Sequence, residues 1–165
     1  MSRFMPRAHR YLFCQGLLRA KRLEEQTSDE LDEGYAVNCR SIVEACQTIL
    51  GENDRARICI IGSESGYRGS FDGAYAAAKR DLHAFIESVA VRGDQQVVGI
   101  SPSIVSDAGM TLRRADTDNL ERRSSEHPKG RFLTSKEVAD LAFFCLYGAS
   151  DYLTNHVIRL HGGLR

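Results

Sequence analysis

The sequence predicts an α/β fold of three layers, a parallel β-sheet with helices on both faces. Short β-branched runs alternate with helix-length amphipathic segments from near the start to the end. Arg57-Ile58-Cys59-Ile60-Ile61 is apolar at consecutive positions, as a parallel strand covered on both faces requires. The chain has 165 residues, 42% of them hydrophobic, which suits one domain with a real core. A single domain over residues 1–165 is the expectation.

The first strand is read at 10–15. The later strands are read at 57–61, 96–101 and 156–160, each rich in β-branched or aromatic residues. The first helix starts near Ser28, where Thr27 faces Glu30 in a capping-box pattern. Leu31, Tyr35, Asn38, Ile42, Cys46 and Ile49 then recur at helical spacing. A second helix runs from about Ala74 to Ala90 on Leu82, Phe85, Ile86 and Val89. A third runs from about Ser135 to Tyr147 on Val138, Leu141, Ala142 and Cys145. Strands joined by helices of this length form right-handed βαβ units. Residues 107–131 break the rhythm: they are polar and follow a strand end, and read as a substrate lid or an unstructured loop.

Composition narrows the partners. With 22 basic and 22 acidic residues the formal charge is zero. That gives no broad electrostatic reason to expect nucleic acid or an anionic membrane. No apolar run reaches membrane-spanning length. The five cysteines form no C-x-x-C pair and read as reduced, mostly buried thiols of a cytoplasmic protein. The histidines show no metal-ligand spacing, so no metal site is expected. The first 22 residues carry Arg3, Arg7, Arg10, Arg19, Lys21 and Arg22 and no acid. A transit-peptide reading of that run loses to the core strand at Tyr11–Cys14.

The chemistry concentrates in Tyr75-Ala76-Ala77-Ala78-Lys79. Spacing of four puts Tyr75 and Lys79 on one helical face, with small residues between them. A free tyrosine, with a pKa of about 10, is a poor acid–base group at neutral pH. A nearby ammonium favours the phenolate and lowers that pKa. The pair can then move a proton at an alcohol or carbonyl oxygen. By itself the spacing also fits an amphipathic surface turn. Ser63, twelve residues earlier, follows the buried strand and points toward the ligand crevice of a parallel sheet. Asn38 is a poor helix former on an apolar stripe, which points to a local task or a core hydrogen bond.

This ordered set resembles the short-chain dehydrogenase/reductase superfamily, whose Asn, Ser, Tyr and Lys tetrad falls on Asn38, Ser63, Tyr75 and Lys79. The serine loop is one residue shorter than the family's usual spacing. Phe13-Cys14-Gln15-Gly16 lies where the family has Asn-Asn-Ala-Gly. Ser101-Pro102-Ser103-Ile104-Val105-Ser106 lies where it has Pro-Gly and a later Thr. Glu137-Val138-Ala139, Tyr152-Leu153-Thr154 and His161-Gly162-Gly163 match the closing helix, strand and turn. The likeness covers about residues 10–163.

The resemblance implies a Rossmann-like fold and hydride transfer between a nicotinamide cofactor, NAD or NADP, and a small-molecule carbonyl or alcohol. Tyr75 would be the acid–base group. Lys79 would lower its pKa and hold the nicotinamide ribose, Ser63 would polarise the substrate oxygen, and Asn38 would anchor a water leading to solvent. Cys14, Gly16, Pro102, Ser103, Ile104 and Ser106 would line the cofactor with Tyr75 and Lys79. The resemblance also implies a homodimer or homotetramer paired through the helices of Asn38 and Tyr75, with Ile42, Leu82 and Phe85 as candidate contacts.

One family landmark is missing. No Gly-rich turn opening a helix precedes Phe13, so the expectation is an N-terminally truncated fold that keeps the later two-thirds. Gly62-Ser63-Glu64-Ser65-Gly66-Tyr67-Arg68-Gly69 is better explained as the serine loop than as a dinucleotide fingerprint. The segment that selects NAD or NADP lies in the missing part. The strand at 10–15 would then be a bare sheet edge. Two alternatives stay open: a non-catalytic relative with impaired cofactor binding that acts in binding or assembly, and a generic nucleotide-binding module. Arg113, Arg114, Arg122 and Arg123 read as a solvated face before a grip on an anionic substrate.

Overall fold

A computed structural model describes residues 8–164; Arg3 and Arg7 of the basic start lie outside them. Four strands form one parallel sheet in the order β1-β2-β3-β4: β1 (Arg10–Phe13), β2 (Arg57–Ile61), β3 (Gln96–Pro102) and β4 (His156–Leu160). Register is continuous, with Phe13 opposite Ile60, Ile60 opposite Gly99 and Gly99 opposite Val157. All carboxyl ends therefore meet along one edge of the sheet.

Helices cover both faces. On one lie α1 (Ser28–Tyr35), α2 (Ser41–Glu52) and α4 (Gly73–Ser88). Ile42, Cys46 and Ile49 of α2 and Leu82 and Ile86 of α4 pack there on Ile58, Ile60, Val97 and Val157. The opposite face carries α7 (Ser135–Phe143), with Ala142 and Cys145 on Cys59, Val98 and Ile100. Alternate residues of β2 thus serve opposite cores, which is why its sequence is apolar throughout. The three-layer α/β fold is found as expected.

The helix boundaries follow local chemistry. Thr27 accepts the Glu30 N–H and Glu30 accepts the Thr27 N–H, the reciprocal cap read from the sequence. The long first helix is interrupted by a π turn at Ala36–Arg40, which holds Asn38. Residues 107–131 are more ordered than expected. They contain α5 (Gly109–Leu112) and α6 (Thr117–Ser125). Between β2 and α4 lies one further turn of helix, α3 (Ser65–Arg68).

Ile42 and Leu82 are fully buried in the core, so neither forms an outer pairing face, while Phe85 packs against the core and stays partly exposed. Arg113, Arg122 and Arg123 are exposed, as the solvated face read from the sequence requires. Arg114 pairs with Asp116 and Arg122 with Glu126. Four cysteines are buried, Cys14 is exposed, and all five are free thiols. Among the described residues no helix is long and apolar enough to cross a membrane. Nor do three His, Cys, Asp or Glu side chains gather to hold a metal ion.

Candidate active site

The start of α4 is fixed by Asp72, a buried carboxylate at its N-cap. Its Oδ1 accepts the Tyr75 N–H at 3.0 Å and the Gln26 amide at 2.9 Å. Its Oδ2 accepts the Arg19 N–H at 2.9 Å. One side chain therefore caps the helix and ties down the loop that follows β1. A carboxylate at this terminus also faces the positive end of the helix dipole.

The inner face of α4 then runs along the carboxyl end of β2. Tyr75, Lys79 and His83 recur every fourth residue, and all three are buried. The Lys79 Nζ donates to the Ile61 carbonyl at 3.2 Å and lies 5.9 Å from the centre of the Tyr75 ring. The Ser63 Oγ accepts the Ser65 N–H at 3.1 Å. The Ser63 hydroxyl lies close enough to the Tyr75 phenol to draw its pKa down. Three of the four expected tetrad residues are thus brought together.

Asn38 stands at the side of this group, fully buried in its π turn. Its carboxamide accepts the Leu17 N–H at 2.9 Å and donates to the Leu17 carbonyl at 2.7 Å. Its side chain thus ties down the loop after β1, with one bond accepted and one donated. Such π turns often mark functional positions in helices.

Burial governs the ionisation of the row. It pushes the Tyr75 phenol up; Ser63 pulls it down, and Asp72 raises it again, for a net rise. The lowering expected from Lys79 is therefore not found here. Burial also pulls Lys79 down to about 8, against the opposing influence of Cys39. At neutral pH the site holds a protonated phenol beside a marginal cation.

The other predicted residues lie at or after the carboxyl ends of β1 and β3. Cys14 and Gly16 follow β1, and Met110 of α5 reaches over Gly16, where an added Cβ would come within 2.9 Å of its methyl. Pro102 ends β3. Ser103 lines a cleft of about 290 Å³ with His127, Lys129 and Leu160. The Ile104 carbonyl accepts the Leu133 N–H. The Ser106 hydroxyl and N–H both donate to the Leu133 carbonyl.

Three groups near the site went unread in the sequence. Asp72 had the signal of a cap residue three before Tyr75. His83 had its spacing of four from Lys79. Glu64 is buried and takes both Arg159 nitrogens and the Ser101 hydroxyl. Burial works against the Glu64 carboxylate, yet Arg159 and Ser101 keep it below the usual range. Its partners lie 37 and 95 residues away, which no local pattern reveals.

Known proteins can be set beside this geometry. The family described as Enoyl-(Acyl carrier protein) reductase matches residues 8–165. The 3-oxoacyl-[acyl-carrier-protein] reductase FabG of Buchnera aphidicola is 26% identical over 90% of the chain and 63% of its own length. A tropinone reductase homolog of Arabidopsis thaliana is 26% identical over 90% of the chain and 60% of its own length. A crystal structure of an oxidoreductase of the short chain dehydrogenase/reductase family from Burkholderia thailandensis superposes with a TM-score of 0.82. It is 25% identical, over 96% of this chain and 65% of that one. The chain spans just under two-thirds of the length of the relatives it matches.

Proposed function

The chain belongs to the short-chain dehydrogenase/reductase superfamily, and on that premise we propose that it is an oxidoreductase using Tyr75 as acid–base group at a carbonyl or alcohol oxygen. The observation that carries the reading is the α4 row, with Tyr75 beside Ser63 and Lys79 one turn on, buried at the carboxyl edge of the sheet.

The reading includes NAD or NADP as hydride carrier. The residues present fit the nicotinamide-ribose end. An ammonium has three donors, and Lys79 gives one of them to Ile61. Cys14, Gly16, Pro102, Ser103, Ile104 and Ser106 lie at or after the carboxyl ends of β1 and β3. The cofactor, when bound, supplies or accepts the hydride. The remaining tasks fall to the chain. Ser63 donates to the substrate oxygen, because its own lone pair already takes the Ser65 N–H. Tyr75 is protonated at neutral pH, the form that gives a proton to the oxygen during reduction. Lys79 as a cation stabilises the phenolate that results. The π turn and Asn38 fix the loop of Gly16 against this group.

A 3-oxoacyl thioester is the first substrate class to test, since that is what the FabG relatives are named for. A homodimer or homotetramer in the cytoplasm completes the reading. The experiment is reduction of a panel of ketones and 3-oxoacyl thioesters by the purified chain with NADH or NADPH. Turnover that falls above about pH 8, as Lys79 loses its charge, supports the proposal. No turnover at millimolar cofactor contradicts it and favours a non-catalytic relative.

A further inference from the structure

We infer that His83 is a positioning residue that holds the Ser63 turn against α4 and so sets the Ser63 hydroxyl on Tyr75. The inference rests on the reading of Ser63 and Tyr75 given above.

The backbone of the turn shows why an acceptor is needed. The Gly62 N–H goes to the Ile100 carbonyl at 2.7 Å and the Glu64 N–H to the Pro102 carbonyl at 3.0 Å. Both reach sideways to β3. The Ser63 N–H lies between them and points away from β3, toward α4. It meets the His83 Nε2 at 3.3 Å. A buried amide without a partner is costly. His83 supplies the acceptor that a helix cannot offer from its own backbone.

The surroundings are shaped for this imidazole. A Cβ at Gly62 would collide with the His83 Nε2, and one at Gly66 would come within 2.7 Å of its Cε1. Two glycines, one on each side of Ser63, therefore make the space the ring fills. Tyr67 packs against the ring, tilted by 30° with centroids 4.7 Å apart. His83 is 3% exposed. An Nε2 that accepts places the proton on Nδ1, and Nδ1 is buried with no partner among the described residues. An apolar residue would avoid that cost, so the bond to Ser63 is what the histidine contributes. Burial, reinforced by Lys79, holds the ring neutral down to about pH 4, while Glu64 opposes them and Arg159 adds to the lowering. The acceptor therefore persists across the physiological range.

The consequence passes along one helical row. Lys79 holds the Ile61 carbonyl and His83 holds the Ser63 amide. The β2 end is pinned at two points, and the hydroxyl between them is presented to Tyr75.

Two measurements test this. Long-range 1H–15N spectra of the labelled wild-type chain, with His83 assigned by His83→Gln, read its tautomer and titration. A proton on Nδ1 and no titration from about pH 5.5 to 8 are expected. A proton on Nε2, or a midpoint near about 6.5, would overturn the inference. The second is titration of the Tyr75 phenol in chain labelled with 13Cζ-tyrosine. Ser63→Ala should weaken Tyr75 ionisation by about twofold to tenfold, the worth of one ordinary hydrogen bond. His83→Leu should do the same, the double variant should add nothing more, and His83→Gln, which keeps an acceptor, should restore the wild-type midpoint. A purely structural role for His83 would leave that midpoint unmoved. A wild-type midpoint in a folded His83→Leu, with Ser63→Ala displaced, therefore overturns the positioning role. A wild-type midpoint in Ser63→Ala overturns the Ser63–Tyr75 contact instead, and the tautomer then decides the hold of His83 on the turn.

Discussion

The two ends of one sheet differ in how far they are finished. At the carboxyl edge of β2, Tyr75, Lys79 and His83 are buried and all face residues 61–63. At β1, every second residue is exposed and Leu12 keeps 48% of its surface. Beside it, Phe143, Phe144 and Tyr147 are exposed at 64%, 51% and 57%. Arg10 lies over the Tyr147 ring and donates to the Leu146 carbonyl, which gives this face a partial cover of its own. Near residues 61–63 the polar groups have partners among the described residues, the buried His83 Nδ1 excepted, while apolar groups near β1 stand in the open. The candidate site is thus held by contacts among α4, the end of β2 and the loop after β1, all within this chain.

The largest predicted effect breaks the finished end. Tyr75→Phe removes the proton donor and should lower turnover by at least about a hundredfold. Chemical unfolding should change by less than about 1 kcal/mol, since the ring still fills its place. Equal loss of activity and stability would mean that Tyr75 is only a core residue.

Asp72→Ala should come next. It deprives three donors of their acceptor and should cost about 2–4 kcal/mol in urea unfolding. A loss below about 0.5 kcal/mol would show that the loop and helix are held elsewhere.

Lys79→Met should do the reverse and stabilise the chain at pH 7. The folded pKa is lowered to about 8 from 10.5, so the unfolded chain binds more protons between those values. Stability contributed by this group therefore rises as pH climbs from about 8 to 10.5. Below that window the folded chain carries a buried charge at a cost of about 1–3 kcal/mol. The variant should recover that amount at pH 7 and flatten the rise, measured by urea unfolding across pH. Destabilisation by Lys79→Met would contradict it. His83 predicts the same slope on the acid side. Its folded pKa is lowered to about 4, so its contribution falls as pH drops from about 6.5 to 4.

The smallest effect belongs to the open end. Phe143→Ser with Phe144→Ser should change stability by within about 1 kcal/mol, because both rings are exposed. The same pair should sharply reduce binding of a hydrophobic dye. Unchanged dye fluorescence would mean that the accessible apolar surface lies elsewhere.

What the sequence made legible was local. The cap at Thr27 and Glu30, the apolar run 57–61 and the spacing of Tyr75 and Lys79 each depend on residues within a few positions. What it hid was nonlocal or ambiguous. Ile42 and Leu82 sit on amphipathic faces that read equally as core or interface, and the packing of α2 and α4 on the sheet decides for core. The α6 helix lacks an apolar stripe and holds itself by local pairs such as Arg122 with Glu126, so its polarity concealed it. The tie from the Asn38 side chain to the loop of Leu17 spans 21 residues, which no local pattern reveals. Tyr75 was expected to be more acidic than usual, but burial decides the sign once the helix is docked.

The claim that this chain builds the acid–base end of the site by itself is tested most directly by the Lys79 ammonium. Its titration can be followed by NMR in the chain labelled with 13C,15N-lysine and assigned with Lys79→Met. The account predicts one lysine that titrates near 8, well apart from the others. Titration of Lys79 with ordinary lysines near about 10.4 would show an open, solvated helix face and no preformed site.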